Sequence, residues 1–151
     1  MVEPAPTQEQ LAVLLEAAEK APDHKKLKPW RFLVLHGDKK QAIADVMADS
    51  FRARVPDADD AKVEKERGKL GRAPMVIAVG TVRLETSLPF EELLAATAAA
   101  IQNLLLAATD LGFASMWRTG DSAYDPMVKK ALGLAEDDFI SGFVYLGSRP
   151  E

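Results

Sequence analysis

The chain has 151 residues, of which 48% are hydrophobic and 28% charged, with a net charge of -4 and no cysteine. This length and composition suit one globular domain with its own core. The lack of cysteine excludes disulfides, thiolate catalysis, iron–sulfur clusters and Cys-ligated zinc, and an acidic chain is not expected to bind nucleic acid. Since the first residues, "MVEPAPTQEQ", contain no apolar stretch typical of a signal peptide, we expect a cytoplasmic protein.

The first half of the chain predicts two helices around one strand. "TQEQ" has the form of a capping box, with Thr7 at the N-cap, and the helix that follows stops at Pro22. "RFLVLHG" predicts a short buried strand ended by Gly37, and a helix is predicted from about Lys39 to Pro56. The charged residues 57–72 predict a solvated helix or a mobile excursion rather than a binding patch.

The second half predicts three strands and two helices. "PMVIAVGTV", from Pro74, is apolar enough for a central strand covered on both faces. The longest helix ends at Gly112. "FASMWRTG" and "DFISGFVYLG" predict the third and fourth strands, and "DPMVKKALG", capped by Asp125, predicts a compact helix between them. Helices and strands mix without a repeat or linker, so an α/β or α+β layered domain is predicted.

The longest predicted helix, in "LPFEELLAATAAAIQNLLLAATDLG", is apolar around most of its circumference. Residues 93–109 carry no charge, which approaches the length of a membrane span. The segment is mostly alanine, however, and contains Gln102 and Asn103 between acidic flanks. We therefore expect a core helix or a subunit interface, and no membrane contact.

Familiar catalytic and metal-binding patterns are missing. There is no G-x-G-x-x-G, P-loop or H-E-x-x-H motif, and His24 and His36 are the only histidines. No ligand set accompanies them, so we expect no metal site. Two other clusters remain as candidates for a site.

The first cluster is "KAPDHKKLKPWR", between the first helix and the first strand. Pro22 and Pro29 stiffen this connection. A rigid loop with many donors suits anion recognition, because little entropy is lost on binding. The alternative is a solvated loop with cations matched to a helix end, and Trp30 is expected to anchor the core. The cationic residues are Lys20, His24, Lys25, Lys26, Lys28 and Arg31.

The second cluster is "MWRTG", residues 116–120, at the end of a predicted strand. Ligands in layered folds often bind beyond the carboxyl ends of strands. Arg118 offers five hydrogen-bond donors and Trp117 a flat apolar surface. The alternative is a strand end at which the tryptophan covers the core and the arginine is solvated.

Taken together, these segments resemble one family. "EPAPTQEQL", "KAPDHKKLKPWRFLVL", "MWRTG" and "GFVYLGSRP" are similar, in this order, to the short bacterial FMN-dependent NAD(P)H nitroreductases. The resemblance covers nearly the whole chain, and the block "APDH…PWRF" is its most specific part. It implies one domain over residues 1–151, an α+β fold with a mostly antiparallel or mixed sheet flanked by helices, and a homodimer that shares its sites.

The same resemblance implies the chemistry. FMN bound at the dimer interface would take hydride at N5 from NAD(P)H and pass electrons to a nitroaromatic, a quinone or a similar small acceptor, in a ping-pong mechanism. By analogy, Lys20 and His24 lie in the FMN-binding loop, and Trp117, Arg118 and Thr119 lie beside the flavin with backbone N–H groups near the ring. No protein residue is implied as an acid, base or nucleophile, which agrees with the missing motifs.

Two departures from the family pattern leave an alternative open. The printed sequence starts after the expected Arg-Arg-Ser type motif that grips the FMN phosphate. It also stops before the usual C-terminal extension that crosses to the partner subunit. Losing one bidentate contact between an arginine and phosphate costs on the order of 2–3 kcal/mol. The alternative is therefore a non-catalytic member of the same fold that binds another ligand or acts as a dimeric partner.

Overall fold

The computed structural model describes residues 1–150 of the chain. Five helices and four strands alternate along it, with short 3₁₀ turns at His24–Lys26, Gly68–Arg72 and Asp121–Tyr124. In chain order the elements are α1 (Gln8–Glu19), β1 (Trp30–Leu35), α2 (Gly37–Arg54), α3 (Asp60–Arg67), β2 (Met75–Thr81), α4 (Phe90–Asp110), β3 (Ala114–Arg118), α5 (Pro126–Ala131) and β4 (Phe139–Gly147).

The four strands form one antiparallel sheet in the order β1-β2-β4-β3. The predicted α+β class is therefore confirmed. β2 is buried along its whole length, as its continuous apolar sequence predicts. β1 is an edge strand in which only Trp30 and Leu35 are buried, so the prediction of a buried strand is wrong for its middle residues.

Helices cover both faces of the sheet. Because side chains alternate along a strand, each strand contributes to two apolar clusters. One cluster joins α1 and α4 to Ile77, Val79 and Val144, and the other joins α2 and α5 to Ala78 and Tyr145. The sheet is thus the middle of three layers, and the two strands at its edges have free sides.

α4 is 21 residues long and crosses the sheet beneath α1. Its length and composition would be enough to cross a membrane, but it lies against the strands and α1. Leu93, Ile101 and Leu104 are buried there, whereas Leu106 is 59% exposed. The helix therefore packs into the core on one side and exposes an apolar side chain on the other.

Residues 57–72 form an ordered helix and a 3₁₀ turn. The Asp59 side chain caps α3 by accepting from the backbone N–H of Lys62 at 2.8 Å. Val63 and Leu70 are buried, while most of the charged side chains face outward. Of the two predicted alternatives, the solvated helix is the one observed.

Candidate functional site

The two candidate clusters lie at opposite edges of the sheet, each next to one end of its own strand. The loop containing His24 leads into the first residue of β1, and residues 117–119 end β3. β3 runs toward the end of the sheet at which β1 starts, but the register places Arg118 level with Leu33 and Trp117 level with Val34. The two edge strands are three strand spacings apart, or about 14 Å. Within one chain the clusters therefore do not touch.

The histidine of the loop is tied to the first turn of α4. Nδ1 of His24 donates to a carboxylate oxygen of Glu92 at 2.7 Å. An ionised carboxylate can only accept, so this bond places the proton on Nδ1. Nε2 of His24 is left to meet a ligand. Lys25 is held nearby, since its amine donates to the hydroxyl of Ser87 at 2.9 Å.

Three lysines of this loop have left-handed backbone conformations. Lys25, Lys26 and Lys28 have φ values of 63°, 55° and 47°, which non-glycine residues adopt only at some cost. The Asp23 carboxylate accepts from the backbone N–H of Lys28 and closes the loop on itself. Such strain persists where surrounding contacts over-determine the backbone, and it concentrates at binding sites. The loop is therefore fixed by Asp23 as well as by the predicted prolines.

Lys20 lies just before this loop, as the C-cap residue of α1. Its amine is 3.6 Å from Glu16 on the same helix, and both side chains are more than 70% exposed. A cation at this position favours the negative end of the helix dipole. An exposed ion pair of this kind is weak, so the amine can exchange Glu16 for an anionic ligand at small cost.

Trp117 is fixed at the other edge by an irregularity in β4. The register between β2 and β4 shifts so that Ser141 is an extra residue, a β-bulge. The indole N–H of Trp117 donates to the Ser141 carbonyl at 3.0 Å. The Ser141 hydroxyl pairs with that of Thr81 at 2.7 Å inside the core. A Cβ on Gly142 would lie 2.3 Å from the indole nitrogen, so glycine there lets the ring lie against the strand.

The side chains of Trp117 and Arg118 lie on opposite faces of the sheet. Trp117 is on the face covered by α1 and α4, where Gly142 leaves room for it. Arg118 lies beside Tyr145, on the face covered by α2 and α5. Thr119 follows the strand and is exposed. A ring bound on the α4 face would thus meet the Trp117 side chain, and Arg118 only through its backbone.

Several residues that build these clusters were not predicted from the sequence. An isolated glycine inside a strand pattern indicates a bulge or a close approach, so Gly142 in "FISGFVYLG" carried a usable signal. Asp23 before "HKK" is a turn-forming residue that favours loop closure. No local sequence pattern indicates the roles of Glu92 and Thr81, because their partners His24 and Ser141 are about 60 to 70 positions away in sequence.

The α+β fold carries two clusters, one with cations in a loop and one with a fixed aromatic surface. Among residues 1–150, no group of acidic or histidine side chains could hold a metal ion. Residues 2–148 match the family model described as "Nitroreductase family", so the chain belongs to the nitroreductase family of oxidoreductases.

Relatives and solved structures agree with this assignment. The chain is 36% identical over 149 residues to "Putative NAD(P)H nitroreductase YdjA" of Escherichia coli K12, covering 98% of this chain and 80% of that protein. A nitroreductase-like family protein from Bacillus cereus has a TM-score of 0.81 and 26% identity, over 98% of this chain and 78% of that one. A nitroreductase with bound FMN from Bacteroides fragilis has a TM-score of 0.73 and 25% identity, over 97% and 80%.

Proposed function

We propose that this protein is an FMN-dependent oxidoreductase that uses NAD(P)H to reduce small acceptors such as nitroaromatics and quinones. A strained cationic loop and a fixed indole at opposite edges of the sheet, in a chain of the nitroreductase family, carry the proposal. Its similarity to a nitroreductase with bound FMN supports the choice of cofactor. The family resemblance of both clusters supports the choice of residues.

The residues present fit FMN by their chemistry. Lys20 and the loop lysines offer cations to an anionic phosphate, and the strained backbone is already ordered. Trp117 offers a flat surface held by the Ser141 carbonyl, and Gly142 leaves the space it needs. Thr119 and the backbone of Arg118 add polar groups at the end of β3. These groups suit a ligand that is negatively charged at one part and aromatic at another.

The chain's own residues orient and stabilise rather than react. The chemistry that FMN supplies when bound is hydride acceptance from NAD(P)H and delivery of the electrons to the acceptor. His24, with its proton held on Nδ1 by Glu92, presents Nε2 to a ligand as a fixed hydrogen-bond partner. Donors that are fixed before binding stabilise charge without reorganising. We propose that NAD(P)H and the acceptor occupy the site in turn, which gives ping-pong kinetics.

A second copy of the chain completes the proposed site. One chain holds its two clusters on opposite edge strands, which are about 14 Å apart. α4 presents an exposed Leu106, and the adjacent α1 an exposed Val13. Apolar surface of this kind on neighbouring helices suits burial against another subunit. We propose a homodimer in which each site takes residues from both subunits.

Titration with FMN tests the proposal directly. At a hundredfold excess over its dissociation constant, FMN should stabilise the fold by about 2.7 kcal/mol, which raises the melting temperature of a protein this size by roughly 5–10 °C. The FMN-loaded protein should oxidise NADH or NADPH when a quinone or nitroaromatic is present. Parallel double-reciprocal plots are expected for ping-pong kinetics.

His24→Ala should weaken FMN retention or slow turnover by about tenfold, because a fixed partner beside the ligand is lost. The other histidine supplies the matched control. His36 is exposed and its side chain makes no capping bond at the start of α2, so His36→Ala should change both measures less than about twofold. Equal effects of both variants would remove His24 from the site.

A non-catalytic role is the second candidate function. Such a protein would keep the fold and the two clusters but bind a ligand other than FMN, or act as a dimeric partner. Under that alternative, FMN at millimolar concentration leaves the melting temperature unchanged. A colourless protein without FMN-dependent stabilisation or NAD(P)H oxidation would replace the enzyme proposal with this one.

A further inference from the structure

A separate cleft opens on the other face of the sheet, beside the edge strand β3. It has a volume of about 240 Å³ and is lined by Met1, Arg72, Met116, Arg118 and Tyr145. The N-terminal ammonium of Met1 donates to the Arg72 carbonyl at 3.0 Å, which joins two of the lining residues. Since Met116 and Arg118 alternate with Trp117 along β3, this cleft and the Trp117 surface lie on opposite faces of the sheet.

The two arginines of the cleft have free guanidinium groups. Within residues 1–150, neither Arg72 nor Arg118 forms a side-chain hydrogen bond or an ion pair. By contrast, Arg54 pairs with Asp125 at the start of α5, and Arg67 pairs with Asp45 and Glu64. None of the cleft's lining residues is acidic. The two guanidinium groups together carry ten donor positions, and no carboxylate lines the cleft to accept from them, in a protein of net charge -4.

Tyr145 adds a neutral donor between these cations. Its side chain is 6% exposed, and its hydroxyl has no hydrogen-bond partner among the described residues. No fully buried side-chain nitrogen or oxygen in residues 1–150 lacks a partner, so this hydroxyl must be open to the cleft. Burial raises the pKa of Tyr145, and the charges of Arg72 and Arg118 oppose that rise. The hydroxyl thus stays protonated at neutral pH and able to donate.

Other charged groups nearby do not cancel this set of donors. Lys40 is half-buried and donates to the carbonyls of Ala73 and Pro74 at 2.8 and 2.9 Å, next to Arg72 in sequence. Glu3 is close enough to Lys40 to act on its pKa, which burial lowers. The Glu3 carboxylate already accepts from the backbone N–H of Ala5 at 2.7 Å. The cleft keeps an excess of positive charge and of free donors.

We propose that this cleft binds a small organic oxyanion, a phosphate or carboxylate carried on an apolar body. Two guanidinium groups match such an oxyanion in the bidentate geometry that arginine favours, and the Tyr145 hydroxyl completes the donors. Met116, which is 50% exposed, and Met1 offer polarisable contacts to the body of the ligand. The site is distinct from the proposed flavin site and does not depend on it.

Calorimetric titration with inorganic phosphate, phenyl phosphate and benzoate tests the cleft, with sodium chloride at matched ionic strength as the blank. Arg72→Gln should weaken binding about tenfold or more, and Tyr145→Phe by about fivefold, because a charged and a neutral hydrogen bond are lost. Phenyl phosphate should bind more tightly than inorganic phosphate, since the methionines contact its ring. Arg72→Lys keeps the positive charge but cannot bind an oxyanion in the bidentate way, so it should retain only part of the affinity.

Lys65→Gln is the matched control, since it removes one exposed cation from α3, away from the cleft. It should leave the affinity for all three anions unchanged. The titrations are repeated with FMN in excess, which should leave anion binding intact. Loss of binding on adding FMN would show that the anions enter the flavin site and would overturn the proposal. Unchanged binding by both Arg72→Gln and Tyr145→Phe, or no binding of any anion, would overturn it as well.

Discussion

Gly142 shows how one absent side chain shapes an aromatic surface. The Trp117 indole nitrogen occupies the space where a Cβ of residue 142 would stand, and the Arg118 carbonyl would lie 2.7 Å from that Cβ. Residue 142 also has a φ of 147°, which L side chains rarely adopt. The neighbouring Ser141 carbonyl then receives the indole N–H. The position of Trp117 therefore depends on a residue that offers no contact of its own.

Gly142→Ala should destabilise the fold by about 2–3 kcal/mol, because backbone strain and a steric clash occur at one position. Urea unfolding measures the loss, and Trp117 should become more exposed to quenchers. Gly71→Ala is the control, since a Cβ there meets nothing within 4 Å and the backbone is unstrained. It should change stability by less than about 1 kcal/mol. Similar unfolding curves for both variants would contradict this account of Trp117.

Asp125 joins two helices on the face of the sheet covered by α2 and α5. Its carboxylate caps α5 by accepting from the backbone N–H of Met127 at 2.9 Å. The same carboxylate receives the Ser50 hydroxyl and lies 3.2 Å from the Arg54 guanidinium, both on α2. Asp125 is 3% exposed, so these bonds are shielded from water. One residue therefore sets both the start of α5 and its position against α2.

Asp125→Ala should lower the free energy of unfolding by roughly 2–4 kcal/mol, because it removes a cap and leaves buried donors without an acceptor. Asp59→Ala is the matched comparison. Asp59 also caps a helix, α3, but it is exposed, so its loss should cost only about 1 kcal/mol. Chemical denaturation compares the two. Equal losses would mean that the link between α2 and α5 contributes nothing beyond capping.

The helices and strands themselves were predictable from local pattern. The capping box of α1, the apolar stretch of β2 and the Asp-Pro start of α5 are each encoded within a few residues. The edge position of β1 was not, because strand order depends on pairings between distant segments. The candidate site divides in the same way. Local pattern pointed to the loop and the strand end, which stay predictions, whereas the bulge at Ser141 and the opposite faces of Trp117 and Arg118 depend on sheet register.

In the molecule as a whole, the adjacent helices α1 and α4 leave large apolar side chains exposed. α4 buries one side in the core, yet Leu106 on the other side is 59% exposed, and Val13 on the adjacent α1 is 49% exposed. In the most apolar 18-residue stretch of α4, only 39% of the residues are buried within one chain. A helix this apolar is expected to gain from burial against a second subunit. The proposed homodimer accounts for this surface and for the separation of the two clusters.

Leu106→Glu should therefore convert a dimer into a monomer of 16.4 kDa, because a charge at a buried interface is costly without a partner. Sedimentation or light scattering reports the mass, and FMN retention should fall in parallel if both subunits form each site. Met127→Glu is the matched control: Met127 is 48% exposed on α5, away from α1 and α4, so it should leave mass and FMN retention unchanged. A wild-type chain that is monomeric would refute this interface, and so would a dimer that survives Leu106→Glu. If a monomeric chain retains FMN, the whole site lies within one subunit.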